Sequence, residues 1–374
     1  MTQDHHDAWI VSADEIESIA LGAGVLGTGG GGNPYLGKWR LWEVLRRGGQ
    51  ARVISPEQVP DDAWIATVGG MGAPTVGIER ISQGEEMLGA LKALESYLGE
   101  PIPYVITGEV GGSNSLSALL VSAQSGRIAV DGDGMGRAFP ELQMNTFVIS
   151  GIPVAPLAVC DVRGQTTIVS HVLDAKWGER IARAVTVQMG GASGLAARPM
   201  RGSELKRSAV WNTLTLAKQL GEVVRRARKE RSDPASAMVE ATSGQILFRG
   251  KIADVSRRTT AGFARGRMTL RAHGSSDELQ IEFQNENLIA QRDSQVLATV
   301  PDLITLVTED DGEPVGTEVL RYGLRVAVLG IPCTPQLRTE HALKFVGPRA
   351  FGYDVNYVPL PGQWPGPVPQ GESI

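Results

Sequence analysis

Cysteine is scarce in this chain, with two, Cys160 and Cys333, among 374 residues. Two distant thiols provide neither a disulfide framework nor the paired spacing of a zinc site. Histidine is nearly as rare, with five, and no His-x-x-x-His cluster occurs, which argues against an ordinary zinc hydrolase. No G-x-S-x-G elbow is present either. Excess positive charge is also lacking. The formal net charge is −5, and apart from "VVRRARKERS" (223–232), a solvated helix end, the arginines are scattered. That argues against a general nucleic-acid binder. No apolar run approaches the roughly 18 residues of a membrane span, and no basic leader with an apolar core opens the chain. A soluble, cytoplasmic protein without nucleic-acid or membrane partners is expected.

Glycine is plentiful, at 46 residues, in a chain that is 42% hydrophobic and 21% charged. Two domains with real cores fit this length and composition. "GTGGGGNPYLG" (27–37) places five glycines in six positions. Gly27, Gly29 and Gly32 formally satisfy G-x-G-x-x-G. That fingerprint needs a strand before it, whereas Ser12 with Glu15 predicts a capped helix that runs up to the glycines. Asn33 as N-cap and Pro34 at the first helical position predict a second helix directly after them. The loop therefore joins helix to helix, and its free N–H groups suit an anion. A plain turn would need only one or two glycines.

Three later segments each run from a short apolar strand into a polar, glycine-rich loop: "AWIATVGGMGAP" (63–74), "YVITGEVGGSNS" (104–115) and "RIAVDGDGMGRAFPEL" (127–142). With helices expected at 82–98 and 114–125, they predict a largely parallel sheet covered on both faces. Ligands sit outside the carboxyl ends of such strands. Those ends carry Gly70 and Met71; Glu109, Ser113 and Asn114; and Asp131, Asp133 and Arg137. Glu109, Asp131 and Asp133 are the candidate general bases, with turn formation and helix capping as their structural alternatives. "DGDG" lacks the remaining ligands of a calcium loop. Arg137 either pairs with the aspartates or forks onto a substrate carboxylate. Glu141 and Asn145 have the spacing of one helical face.

Residues 176–230 read as helices, at 176–190 and 203–227, with a mobile middle. Beyond Gly244 the period becomes two, with six or more short strands in fewer than ninety residues, a small barrel or sandwich. "FQNENL" (283–288) is unusually polar for such a strand; it either reaches the first domain's cleft or forms a hairpin turn. The last forty residues, with seven prolines, read as an extended tail. The divisions expected are an α/β domain over 1–172 and a C-terminal domain over 173–374. The latter comprises a helical connection (173–241), a β-barrel (242–332) and the tail (333–374).

"LGTGGGGNPYLG", "GEVGGSNSL", "VDGDGMGRAFPELQM", "RRTTAGFARG", "EFQNENL" and "VGPRAFGYDVNYVPL", in collinear order from about 10 to 360, resemble the S-methyl thiohydantoin desulfurase family. The resemblance implies an α/β three-layer sandwich N-terminal domain plus a C-terminal β-barrel domain. It further implies hydrolytic desulfurisation at C2 of a (thio)hydantoin-like ring, in the breakdown of ergothioneine-like sulfur metabolites. For that reaction the strand-end cleft, not the resemblance, supplies the residues: Asp131, Asp133 or Glu109 activates water. Gly29, Gly30, Gly31, Asn33, Gly70, Met71, Ser113, Asn114, Arg137 and Glu141 contact the substrate. No metal or cofactor is expected, the partner is a small cyclic amide or thioamide, and the protein self-associates. The rival reading is a non-catalytic metabolite-binding or accessory subunit of a hydantoinase/oxoprolinase-type system.

Overall fold

The computed structural model describes residues 8–367, apart from 73–75, 77, 78, 81, 261 and 262. Trp9–Ile10 (β1) leads into Ala13–Leu26 (α1), which starts on the expected capping box. The Ser12 hydroxyl accepts from the Glu15 N–H at 3.3 Å, and the Glu15 carboxyl accepts from the Ser12 N–H at 2.8 Å. The next helix, Pro34–Arg46 (α2), starts on Asn33, whose side chain accepts from the Tyr35 N–H at 2.9 Å. The glycine run thus joins two helices, and the dinucleotide reading is excluded on geometry.

Arg52–Ile54 (β2), Trp64–Gly72 (β3), Glu86–Leu98 (α3), Tyr104–Thr107 (β4), Ser117–Ser125 (α4) and Ile128–Val130 (β5) follow. Strands β2, β5, β4 and β3 lie side by side and parallel. Beyond them come Gly132–Asp133 (β6), Thr146–Ile149 (α5), Leu157–Cys160 (β7), Thr166–Val169 (β8), Ala175–Gln188 (α6) and Ala192–Arg201 (β9). Strand β9 runs antiparallel between β3 and β7, with β8 outside β7 and β1 antiparallel on β2. The eight-stranded sheet is therefore mixed, not largely parallel. The difference traces to the antiparallel strands β7, β8 and β9; the stretch between the two expected helices, read as mobile, is the strand β9. Its alanines favour helix in isolation, but burial between two strands overrides that preference. Residues of β3 alternate as the pleat requires: Ala66 and Val68 join the core under α3 and α4, and Ile65 joins Ile106, Val130 and Phe147 on the other face.

After Gly202–Ser208 (α7), Val210–Trp211 (β10), Thr213–Glu230 (α8) and Pro234–Thr242 (α9), the second lobe is one antiparallel sheet. Its strands are Gln245–Thr260 (β11), Phe263–Ala272 (β12), Glu278–Gln284 (β13), Glu286–Arg292 (β14), Gln295–Thr299 (β15), Leu303–Thr308 (β16) and Arg325–Ile331 (β17). They run in the order β15-β14-β13-β12-β11-β17-β16. The sheet curls around Phe248, Ile252, Leu270, Ile281 and Val328, but β15 and β16 form no ladder. It is a half-barrel rather than the closed barrel expected. Strand β16 turns to the first lobe instead, where the Thr305 hydroxyl donates to the Val25 carbonyl at 2.7 Å. The supposedly extended tail contains a helix, Glu340–Val346 (α10), and its later part is anchored by the buried Leu360 and Trp364.

The two lobes meet on the glycine run. The carbonyls of Thr28 and Gly29 accept from the N–H groups of Asn287 and Thr317, both at 2.8 Å. Those of Gly31 and Gly32 accept from Asn114 and Ser113 at 3.2 and 3.1 Å. Arg137 closes the junction. Its five N–H groups donate to the Ala138, Pro301, Asp302 and Asn287 carbonyls and to the Thr28 hydroxyl, at 2.7–3.4 Å. Glycine is required here: a Cβ at Gly30 would lie 2.0 Å from a Glu286 carboxyl oxygen. Gly31 has φ +74°, and its Cβ would lie 2.2 Å from the Gly111 carbonyl.

Two predictions arise. Arg137→Met strips a charged donor from five buried acceptors, so urea unfolding should show a loss of more than about 3 kcal/mol. A loss below about 1 kcal/mol would contradict the clasp. Gly31→Ala should lower stability by about 1–3 kcal/mol through positive φ and the backbone clash; an unchanged melting temperature would show that the loop relaxes freely.

Candidate functional site

A pocket of about 260 Å³ opens where β3 and β4 end and β9 begins, with the second lobe's β13–β14 turn as part of its wall. Backbone dominates one side, from Gly31, Gly32, Gly69, Gly70 and Gly108. Glu109 sits directly beyond β4. Its carboxyl accepts from the Asn114 amide at 2.6 Å and from the Phe139 N–H at 3.2 Å, while the Asn114 carbonyl oxygen accepts from the Gly70 N–H at 2.8 Å. Asn114 therefore fixes the carboxylate relative to the end of β3. Burial pushes the Glu109 carboxyl up to about 7, against the pull of these donors and of the Arg137 charge.

Glu286 enters the same pocket from the other lobe. It follows Asn285, which takes φ +60° and locks its turn through the Ala264 N–H donating to its side chain at 2.9 Å. Glu286 is 2% exposed. It accepts from the Gly31 N–H, and its Oε2 has no partner among the described residues. Burial, then the charge of Glu109, raises its carboxyl well above the usual range. Two crowded carboxyls cannot readily both ionise, so they divide into one that loses its proton first and one that retains it.

The remaining wall is rich in arginine. Arg198, on β9 with φ +53°, donates to the Leu142 carbonyl and to the Thr67 hydroxyl, while its Nε is buried without a partner among the described residues. Burial depresses its guanidinium to about 10. Arg183 pairs with Glu179 and lies 4.5 Å over the Phe263 ring. Arg80 donates to three carbonyls, of Met189, Gly190 and Ala192. Arg40, half-buried on α2, lines the pocket and has no hydrogen bond or ion pair among the described residues. Among those residues no group of three His, Cys, Asp or Glu side chains converges as a metal site.

Of the residues singled out from sequence, Glu109, Gly31, Asn33, Gly70, Met71, Ser113, Asn114 and Glu141 line this pocket. The others are elsewhere. Asp131 turns inward and caps α8, accepting from the N–H groups of Leu214 and Thr215 and from the Thr215 hydroxyl. Asp133 accepts from the N–H groups of Val110, Met135 and Gly136 at 2.8–3.0 Å, and burial pushes it up to about 7. Neither reaches the pocket, because backbone donors hold both carboxyls inside the first lobe. Arg137 is fully buried with every N–H engaged, so it has no donor left for a substrate. Gly29 and Gly30 lie behind the pocket wall, against Asn287 and Glu286. Glu141 and Asn145 do not share a helix; Asn145 is the N-cap of α5.

Asn285, Glu286, Arg198 and Glu179 were not among the residues singled out. The excess polarity of "FQNENL" is the signal for the first two. Nothing in the pattern of β9 or α6 marks the others.

Comparison with known proteins agrees with this architecture. The X-ray crystal structure of a protein from Chromobacterium violaceum superposes with a TM-score of 0.79 at 26% sequence identity, covering 94% of this chain and 100% of that one. No curated protein matches. Residues 14–171 match the family model described as S-Me-THD-like, N-terminal domain, and residues 173–360 the S-Me-THD-like, C-terminal domain. With both models matched in order from 14 to 360, the chain belongs to the two-domain S-methyl thiohydantoin desulfurase-like family.

Proposed function

We propose that this protein is a hydrolase acting on C2 of a five-membered thiohydantoin-like ring and releasing the sulfur substituent as a thiol. The observation that carries the reading is Glu109: a carboxyl pushed up to about 7 and fixed by Asn114, at a pocket edged with glycine backbone. A base with that affinity for protons takes one from water near neutral pH. Water oxygen then bonds to C2, the C2=N pair moves to the ring nitrogen, and Glu109 returns to that nitrogen the proton it took from water, so the carboxylate is free again. N–H groups of the glycine-rich loops suit the charge that develops. Asn33 and the start of α2, with Arg40 on the same helix, fit a carbonyl or carboxylate on the ring; this is the place the sequence reading gave to Arg137.

Incubating the protein with S-methyl-2-thiohydantoins and assaying free thiol tests the reading. Glu109→Gln keeps the shape but removes the basicity, and should reduce turnover about 10²–10⁴-fold. Asp131→Asn and Asp133→Asn should lower the melting temperature yet leave turnover of the folded protein within a few-fold. Loss of turnover in an aspartate variant with Glu109→Gln unaffected would overturn the assignment, and binding without any turnover would favour the accessory-subunit reading.

The pH dependence follows in sign. Glu109 is protonated below about 7 and cannot act as a base there, so kcat/KM should climb as pH rises through that value. A profile already flat from pH 5 upward would exclude Glu109 as the base.

A further inference from the structure

We propose that Glu286 is a second catalytic residue of this pocket, the acid that protonates the departing sulfur; the proposal rests on the hydrolytic reading above. Three features of its placement support the role. The side chain is 2% exposed and lines the pocket. One carboxyl oxygen is held through the Gly31 N–H, and the buried Oε2 has no partner among the described residues, so the protein leaves part of this carboxyl's hydrogen-bonding capacity unfilled at the pocket wall. The turn that carries it is rigidly fixed. The Asn285 N–H donates to the Ala264 carbonyl at 2.8 Å, and the Asn285 carbonyl accepts from the Thr317 hydroxyl at 2.6 Å. Burial and the nearby Glu109 charge favour the protonated form of this carboxyl.

The step balances without any further reactant. After water has added across C2=N, the hydroxyl at C2 gives its proton to Glu109 and a C2=O bond forms. The C2–S bond breaks with its electron pair on sulfur, and Glu286 supplies the proton that completes the thiol. One proton passing from Glu109 to Glu286 through solvent resets the pair. The net change is one water consumed and one thiol released.

The test compares two leaving groups, using the S-methyl and S-(4-nitrophenyl) derivatives of 2-thiohydantoin. Methanethiolate needs a proton to depart, whereas 4-nitrothiophenolate leaves readily without one. Glu286→Gln should reduce kcat about 10²–10³-fold on the S-methyl ring and less than about 10-fold on the S-nitrophenyl ring. Glu286→Asp keeps an acid one methylene short; it should show the same selectivity in weaker form, and it serves if the Gln variant fails to fold. Equal losses on both rings would overturn the proposal, since they mark a structural role. A wild-type protein that releases neither thiol overturns the hydrolytic reading itself, and the role of Glu286 with it. Glu109→Gln distinguishes the two failures further, because a base that activates water affects both rings alike.

Discussion

The guanidinium of Arg137 is the interaction on which the rest of this structure depends. Burying a cation with no carboxylate in direct contact is costly, and here the cost is offset by five hydrogen bonds from both lobes. Thr28 belongs to the glycine run, while Asn287, Pro301 and Asp302 belong to the curled sheet. One side chain therefore fixes the register between a loop after α1 and the turns around β14 and β16. The same cation acts electrostatically on Glu109 and Glu286, lowering both carboxyls against the burial that raises them. Arg137 thus both joins the lobes and supports ionisation within the pair, without touching what enters the pocket.

That arrangement explains why the glycine run is so long. A two-helix turn alone would tolerate side chains at several of these positions. Here the run is gripped on two sides at once, by 113–114 through the carbonyls of Gly31 and Gly32 and by the second lobe through those of Thr28 and Gly29. Glu286 occupies the space a side chain at Gly30 would need. Much of the loop's hydrogen-bonding capacity serves the lobe junction. The part that faces the pocket, Gly31 to Asn33, is contiguous with α2 and Arg40.

Much of this was legible locally. Capping residues announced α1 and α2, the change of period announced the second sheet, and Glu109 with Asn114 marked the end of β4. What the sequence could not reveal was which distant donors each acid would meet. Asp131 looks like a strand-end catalyst until α8 arrives from more than eighty residues away to offer its first N–H groups. Arg137 looks like an anion fork until carbonyls some 150 residues later surround it. Closure of the barrel failed for a similar reason, since β16 engages α1 where a ladder with β15 was expected. Glu286 was marked only as part of the polar run 283–288, because which of those residues enters the pocket is decided when the two lobes assemble.

The central claim is that Glu109 and Glu286 form one interacting carboxyl pair across the lobe junction. Carbon-13 NMR titration of the protein labelled in glutamate carboxyls tests it most directly. The account predicts one carboxyl titrating near 7 and a second raised well above the ordinary glutamate range, and predicts that Glu109→Gln moves the second to lower pH by removing the charge that raises it. Glutamate carboxyls that all titrate in the ordinary range near 4–5, with no change at Glu286 on replacing Glu109, would contradict it.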